Sequence, residues 1–263
     1  MVTESKKANR VAVISGKGGV GKTVITANLA ATLASSGRRV LVLDADLGLA
    51  NLDILLGVTS EFTILDALHG THSIDKVIIH TDKGFDLLPA GSGLPEGATF
   101  TRILAKGIES ILGSVEHSYD IILFDAGAGV GDIVLLFAGL ADEILLVATP
   151  EPTSLMDSYA IIKILNQLHG RCEFLMVVNQ TNPECSSQIG AAVVSHLQNV
   201  ISRFIDSTRE KPVKIDLIGS IPLDPVVPQA IRRRQLLAEA SPEAPSACLM
   251  NHLASCLDSR IRC

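Results

Sequence analysis

The chain has 263 residues, 47% of them apolar and 19% charged, with a formal net charge of -6. These values exclude a disordered or fibrous chain and fit one folded domain, and the acidic balance speaks against a surface given over wholly to nucleic acid. The longest apolar stretch, Ile133 to Ala141, stops at Asp142 and Glu143, far short of the ~20 residues that cross a bilayer.

In chain order, a polar tail over residues 1–9 carries no apolar signal core, which predicts a cytoplasmic protein. A single domain is expected over 10–263, since no repeat, low-complexity tract or Pro/Gly linker divides it. Apolar strands are predicted at 10–15, 39–44, 85–90, 120–126, 143–149, 173–179 and 214–221, mostly without polar alternation, as in sheets covered on both faces. Between them, helical patterns fall at about 22–36, 101–115, 131–140, 154–168, 186–206 and 225–238, with Gly37 as a stop after the first and one last helix after "SPEAPS". Strands alternating with helices predict an α/β architecture, a mostly parallel twisted sheet of about seven or eight strands with helices on both faces.

The first strand runs into "SGKGGVGKT", where Gly16, Gly21, Lys22 and Thr23 satisfy G-x-x-x-x-G-K-[ST] between a strand and a helix, the context that a phosphate-binding loop requires. Glycines permit backbone turns in which successive N–H groups face phosphate oxygens, and the helix N-terminus adds positive potential. The expected cradle is Gly16, Lys17, Gly18, Gly19, Val20, Gly21, Lys22, Thr23 and Val24, with Lys22 on the outer phosphates and the Thr23 hydroxyl on Mg2+. Asp44 and Asp46 end the second strand and Asp125 ends another, where ligands of open α/β sheets gather. Asp125 is the metal candidate and Asp46 the group that orients and polarises the attacking water. Asp44 either pairs with Lys22, caps its turn or shares in metal handling. Ser154 and Asp157 either cap their helix or meet a partner subunit. The five cysteines form no C-x-x-C pair, so reduced structural thiols are expected, and His69 and His72 read as loop surface.

A second lysine, Lys17, opens the loop. "KGGVGKT" resembles the deviant Walker A motif of the MinD/ParA family of dimerising ATPases, and "DADLGLANLDILLG", "FDAGAG", "TPEPTSLMDSYAIIK" and "IPLDPVVPQAIRRR" are similar to its FlhG branch, MinD-like regulators of flagellar number and placement. The likeness runs from about residue 10 to about 240. It implies a P-loop ATPase that needs Mg2+ and is activated when two subunits sandwich ATP, with Lys17 reaching the phosphates bound by its partner, as an arginine finger does. It implies adenine contacts from Asn179, Pro222, Leu223 and Asp224. The implied partners are a second copy and flagellar proteins, namely an FlhF-type GTPase and basal-body or regulatory components, although the "DQA" type motif that stimulates FlhF has no counterpart in "MVTESKKANR".

MinD-like proteins bind membrane through a C-terminal amphipathic helix, so the resemblance also admits a location at the inner face of the cell membrane. Leu249, Leu253, Leu257 and Ile261 make such a stripe, but a helix packed on the protein's own surface shows the same one and is the favoured reading. Arg232, Arg233 and Arg234 read as a solvated helix end, with anionic lipid, nucleic acid or protein as the alternative. A cell-division MinD role is the nearest alternative function. A ParA-like DNA partitioning role is disfavoured by the acidic charge and by "DADLGLAN" in place of a "DLDPQ" type sequence. An iron–sulfur carrier of the Mrp type is disfavoured by the missing C-x-x-C, and a carboxylate-activating metabolic enzyme would need a small acid substrate.

Overall fold

The computed structural model describes residues 7–46, 51–89, 102–206 and 211–261. Most of the polar tail, 47–50 of the "DADLGLAN" segment, the last residue of the 85–90 strand, the first of the 101–115 helix, and Arg262 and Cys263 lie outside them. The strands are β1 (Asn9–Ser15), β2 (Val40–Ala45), β3 (Ile79–His80), β4 (Asp86–Leu88), β5 (Ile121–Ala128), β6 (Glu143–Ala148), β7 (Glu173–Thr181) and β8 (Lys214–Pro222). They form one eight-stranded sheet in the order β3-β4-β2-β5-β1-β6-β7-β8, parallel except for the β3–β4 pair. The mostly parallel, doubly covered sheet matches the architecture expected from the sequence.

Alternation along each strand splits the core in two. In β1, Ala12 and Ile14 face one layer while Val11 and Val13 face the other. The first layer is closed by α3 (Ile64–Leu68), α4 (Ile74–Val77), α5 (Arg102–Val115), α6 (Asp132–Leu140), α7 (Pro152–His169) and α8 (Ser186–Phe204). The second is closed by α1 (Lys22–Ser35), α2 (Leu52–Leu56), α9 (Val226–Arg233), α10 (Leu237–Ala240) and α11 (Pro245–Ile261). Gly37, with φ 91°, ends α1 by donating its N–H to the Ala34 carbonyl at 2.9 Å, the left-handed stop that its position suggested.

Two expectations need correction. The span 51–80, where the sequence predicts no strand or helix, holds three short helices and the antiparallel edge strand β3; four or five residues are too few for a hydrophobic period, and α3 is set instead by a capping box between Thr63 and Asp66. The helix drawn over 225–238 is two, broken where Arg234 takes φ 52° so that Leu236 and Leu237 turn into the core.

The C-terminal helix lies on the protein itself. Leu253 and Leu257 are fully buried with Met250 in the layer that α1 shares, so the Leu stripe serves the core. Among the described residues, no helix is long and apolar enough to cross a membrane.

Candidate functional site

Because β1 lies between β5 and β6, the loop after it opens at the carboxyl end of the sheet beside the ends of β2 and β5. This is the switch region of an open α/β sheet, where ligands bind. The loop is compact because two glycines allow close approach. A Cβ on Gly16 would lie 2.5 Å from the Asp157 backbone, so no larger residue lets the loop rest against α7. Gly21 has φ 90°, and a Cβ there would meet the Asn179 amide nitrogen at 2.4 Å.

The two lysines take different places. Lys22, 8% exposed, donates from its ammonium to Asp125 Oδ1 at 2.7 Å, and the Thr26 hydroxyl donates to the same oxygen at 3.1 Å. Lys17 is half-exposed and gives its ammonium to Glu151 Oε2 at 2.6 Å, with the Thr153 hydroxyl oxygen 3.4 Å away at the start of α7.

Asp44 and Asp125 are register partners on adjacent strands and both are buried. Burial first, and the neighbouring Asp125 charge second, push the Asp44 carboxyl up to about 7. Its oxygens accept backbone N–H bonds from Asp46 at 3.1 Å and from Asn51 and Leu52 at 3.2 Å each, the contacts of a turn cap, while Lys22 donates to Asp125 and not to Asp44. Asp46 stands over Gly127, whose Cβ position is 3.8 Å from the Asp46 carboxyl carbon.

A cavity of about 630 Å³ lies in front of the loop, lined by Lys17, Gly18, Gly19, Val20, Gly21, Lys22, Thr23, Val24 and Asp46, with Ile54 and Ile231 at its apolar wall. It sits in the size range of small-molecule sites. Arg232 and Arg234 also line it, a placement that their run in the sequence did not reveal. A second cavity, about 280 Å³, continues past Gly21 and Val24 and is walled by Asn179, Pro222, Leu223, Asp224, Val227, Pro228 and Met250. All four residues assigned to adenine therefore line one slot next to the loop.

Asp224 in that slot is itself held. Burial would raise its carboxyl, but the Val226 N–H at 2.9 Å and the Ser246 hydroxyl at 2.8 Å and N–H at 3.3 Å hold it below the usual carboxylate range. The carboxylate thereby pins the start of α11 to the slot. Ser154, inside the first turn of α7, accepts the Thr149 N–H at 3.0 Å and so ties the β6–α7 turn to the helix, which itself has no side-chain cap.

The donors suit a hard divalent cation. Thr23 supplies a hydroxyl, and two neighbouring buried carboxylates, one already driven toward protonation, gain from any positive charge placed between them and a phosphate.

Comparison with known proteins agrees with this arrangement. A ParA family model, described as a NUBPL iron-transfer P-loop NTPase, matches residues 6–257. The antiactivator FleN of Pseudomonas aeruginosa is 37% identical over 249 residues, which cover 95% of this chain and 86% of that protein. The flagellum site-determining protein YlxH of Helicobacter pylori is 32% identical over 95% of this chain and 82% of its own length. Among solved structures, MinD of Pyrococcus horikoshii in complex with Mg-ADP superimposes with a TM-score of 0.73 at 25% identity, covering 96% of this chain and 97% of that one.

Proposed function

The chain belongs to the ParA family of P-loop NTPases, and from that premise we propose that it is an ATP-hydrolysing switch of the FleN and YlxH kind, active as an ATP-bound dimer and regulating flagellar number and placement. The observation that carries this reading is the division of labour between the two lysines. Lys22 is buried in its own loop against Asp125, whereas Lys17 keeps its ammonium outside, on Glu151, where a second subunit's phosphates can draw it away. Ile54 is 61% and Ile231 40% exposed at the wall of the phosphate cavity, an apolar surface that one copy alone leaves in water.

In this reading the cradle of Gly16 to Val24 binds the phosphates, and Asn179, Pro222, Leu223 and Asp224 enclose the base. Thr23 and Asp125 would hold Mg2+, which would supply positive charge at the phosphates, and Asp44 fixes the adjoining turn. Asp46 orients and polarises the water, and Lys17 of each copy stabilises charge on the other's nucleotide. Hydrolysis then waits for dimerisation, and the ATP dimer and the ADP-bound chain present different surfaces to partners.

Size-exclusion chromatography with ADP and with a non-hydrolysable ATP analogue tests the switch. The analogue alone should double the mass of the wild type. A pull-down of each form against basal-body proteins and an FlhF-type GTPase tests the flagellar role. The likeness to MinD of P. horikoshii favours a cell-division role as the second reading, and retention of Min-type partners in place of flagellar ones would select it.

A further inference from the structure

We infer that Gln180, together with Asn179, is a positioning residue that fixes the peptide orientation of the phosphate loop; the inference rests on the nucleotide-site reading above. Strand β7 pairs with β8 up to Val178, with one register shift between Met176 and Val177, and pairs again at Thr181 after a second shift. The two residues in that irregularity are Asn179 and Gln180, and both side chains turn to the loop. The Gln180 amide nitrogen donates to the Gly19 carbonyl at 3.2 Å, and the Asn179 amide nitrogen donates to the Val20 carbonyl at 2.8 Å. Irregularities of this kind re-aim side chains next to functional sites.

The bonds matter because a trans peptide is planar, with its C=O and N–H on opposite sides. Holding the Gly19 carbonyl toward β7 turns the Val20 N–H the other way, and holding the Val20 carbonyl does the same to the Gly21 N–H. Both donors then face away from β7, in a stretch whose residues Gly19, Val20 and Gly21 line the same cavity as Lys17, Lys22 and Asp46. Glycine-rich backbone has no side chain to choose this orientation; the two amides choose it before any anion arrives, which spares the site that ordering on binding.

Gln180 itself is held in a rarely used conformation. With φ 59° it is one of two non-glycine residues with positive φ among the described residues, and it lines the second cavity, beside Asn179 and Gly19. Glycine or asparagine fits that backbone more easily, but neither reaches the Gly19 carbonyl with an amide from the same Cα.

The test compares wild type, Gln180→Met and Gln180→Asn. Methionine keeps the length and removes the donor; asparagine keeps the amide and tolerates the backbone but is one methylene short. Both variants should bind ADP roughly fivefold more weakly by calorimetry, the equivalent of one net hydrogen bond, while the urea midpoint without nucleotide stays at the wild-type value. In amide NMR spectra, the large shift of the Val20 resonance on adding ADP should shrink in both variants, with that of Gly21 retained. ADP affinity equal to wild type in both, or a loss of affinity matched by a fall in the urea midpoint, overturns the inference. A wild-type chain that binds no ADP at all overturns instead the nucleotide reading beneath it.

Discussion

Replacing Lys22 by alanine should cost the protein stability even with no nucleotide present. Lys22 and Asp125 are 8% and 1% exposed, and their ion pair is 2.7 Å long. Without the ammonium, Asp125 keeps the Thr26 hydroxyl as its side-chain donor among the described residues and faces Asp44 across the strand pair. Leaving one member of a buried pair uncompensated costs about 3–5 kcal/mol. With a urea dependence of about 3 kcal/mol per molar, the midpoint should fall by about 1–1.7 M. The double substitution Lys22→Ala with Asp125→Asn removes both charges and should recover more than half of that loss, a coupling that a double-mutant cycle reads directly. Equal midpoints for Lys22→Ala and wild type, or strictly additive effects, would refute the claim that Asp125 depends on Lys22. Loss of ATP binding in Lys22→Ala therefore has to be measured below the denaturant or temperature range in which this variant unfolds.

Asp46→Ala should keep ATP affinity within a few-fold, accumulate as a dimer on size-exclusion chromatography and lose roughly 10²–10⁴ in turnover, because a water-orienting group acts in the transition state. Lys17→Ala should still bind ATP, measured by calorimetry, yet show neither an ATP-dependent mass increase nor wild-type hydrolysis; turnover at the wild-type rate in that variant would remove the cross-subunit role. Asp44 sets a pH trend in the nucleotide-free protein. Its carboxyl rises from 3.8 unfolded to about 7 folded, so its contribution to stability is full below 3.8 and is lost as pH rises through about 7. The unfolding free energy of the wild type, from urea titrations, should decline between pH 5 and 7 by on the order of 1 kcal/mol per pH unit, and Asp44→Asn should flatten that slope.

The parallel sheet was readable because its strands are continuous apolar runs such as "DIILFDA", long enough to stand apart from the helical periods around them. The phosphate loop was readable because its spacing is fixed by backbone geometry. What escaped was decided by tertiary contacts. Gln180 carries no signal in "VVNQTN", since its amide matters only where the β7–β8 register slips beside Gly19. Arg232 and Arg234 looked like a solvated helix end because the break at Arg234, which sets them beside the cavity, follows from the burial of Leu236 and Leu237 further on. Asp44 was open among three roles because its N–H partners, at Asn51 and Leu52, come from a helix too short to be recognised.

The C-terminal stripe carries the same lesson into energetics. An apolar face every fourth residue says that a helix will bury that face, and leaves the partner undefined. Here Met250, Leu253 and Leu257 are 3%, 0% and 0% exposed against the layer that holds α1. Each such side chain is worth about 1.5–3 kcal/mol when removed from water. A lipid surface would return that gain without adding to it, while Arg38 loses Asp258 at 2.6 Å and Arg260 loses its contact with Asp216. Moving this helix onto a membrane therefore exchanges one apolar contact for another, breaks the ion pairs of Asp258 with Arg38 and of Arg260 with Asp216 and Glu143, and uncovers the α1 layer. Membrane attachment through α11 is disfavoured as long as α1 and β8 remain folded beneath it.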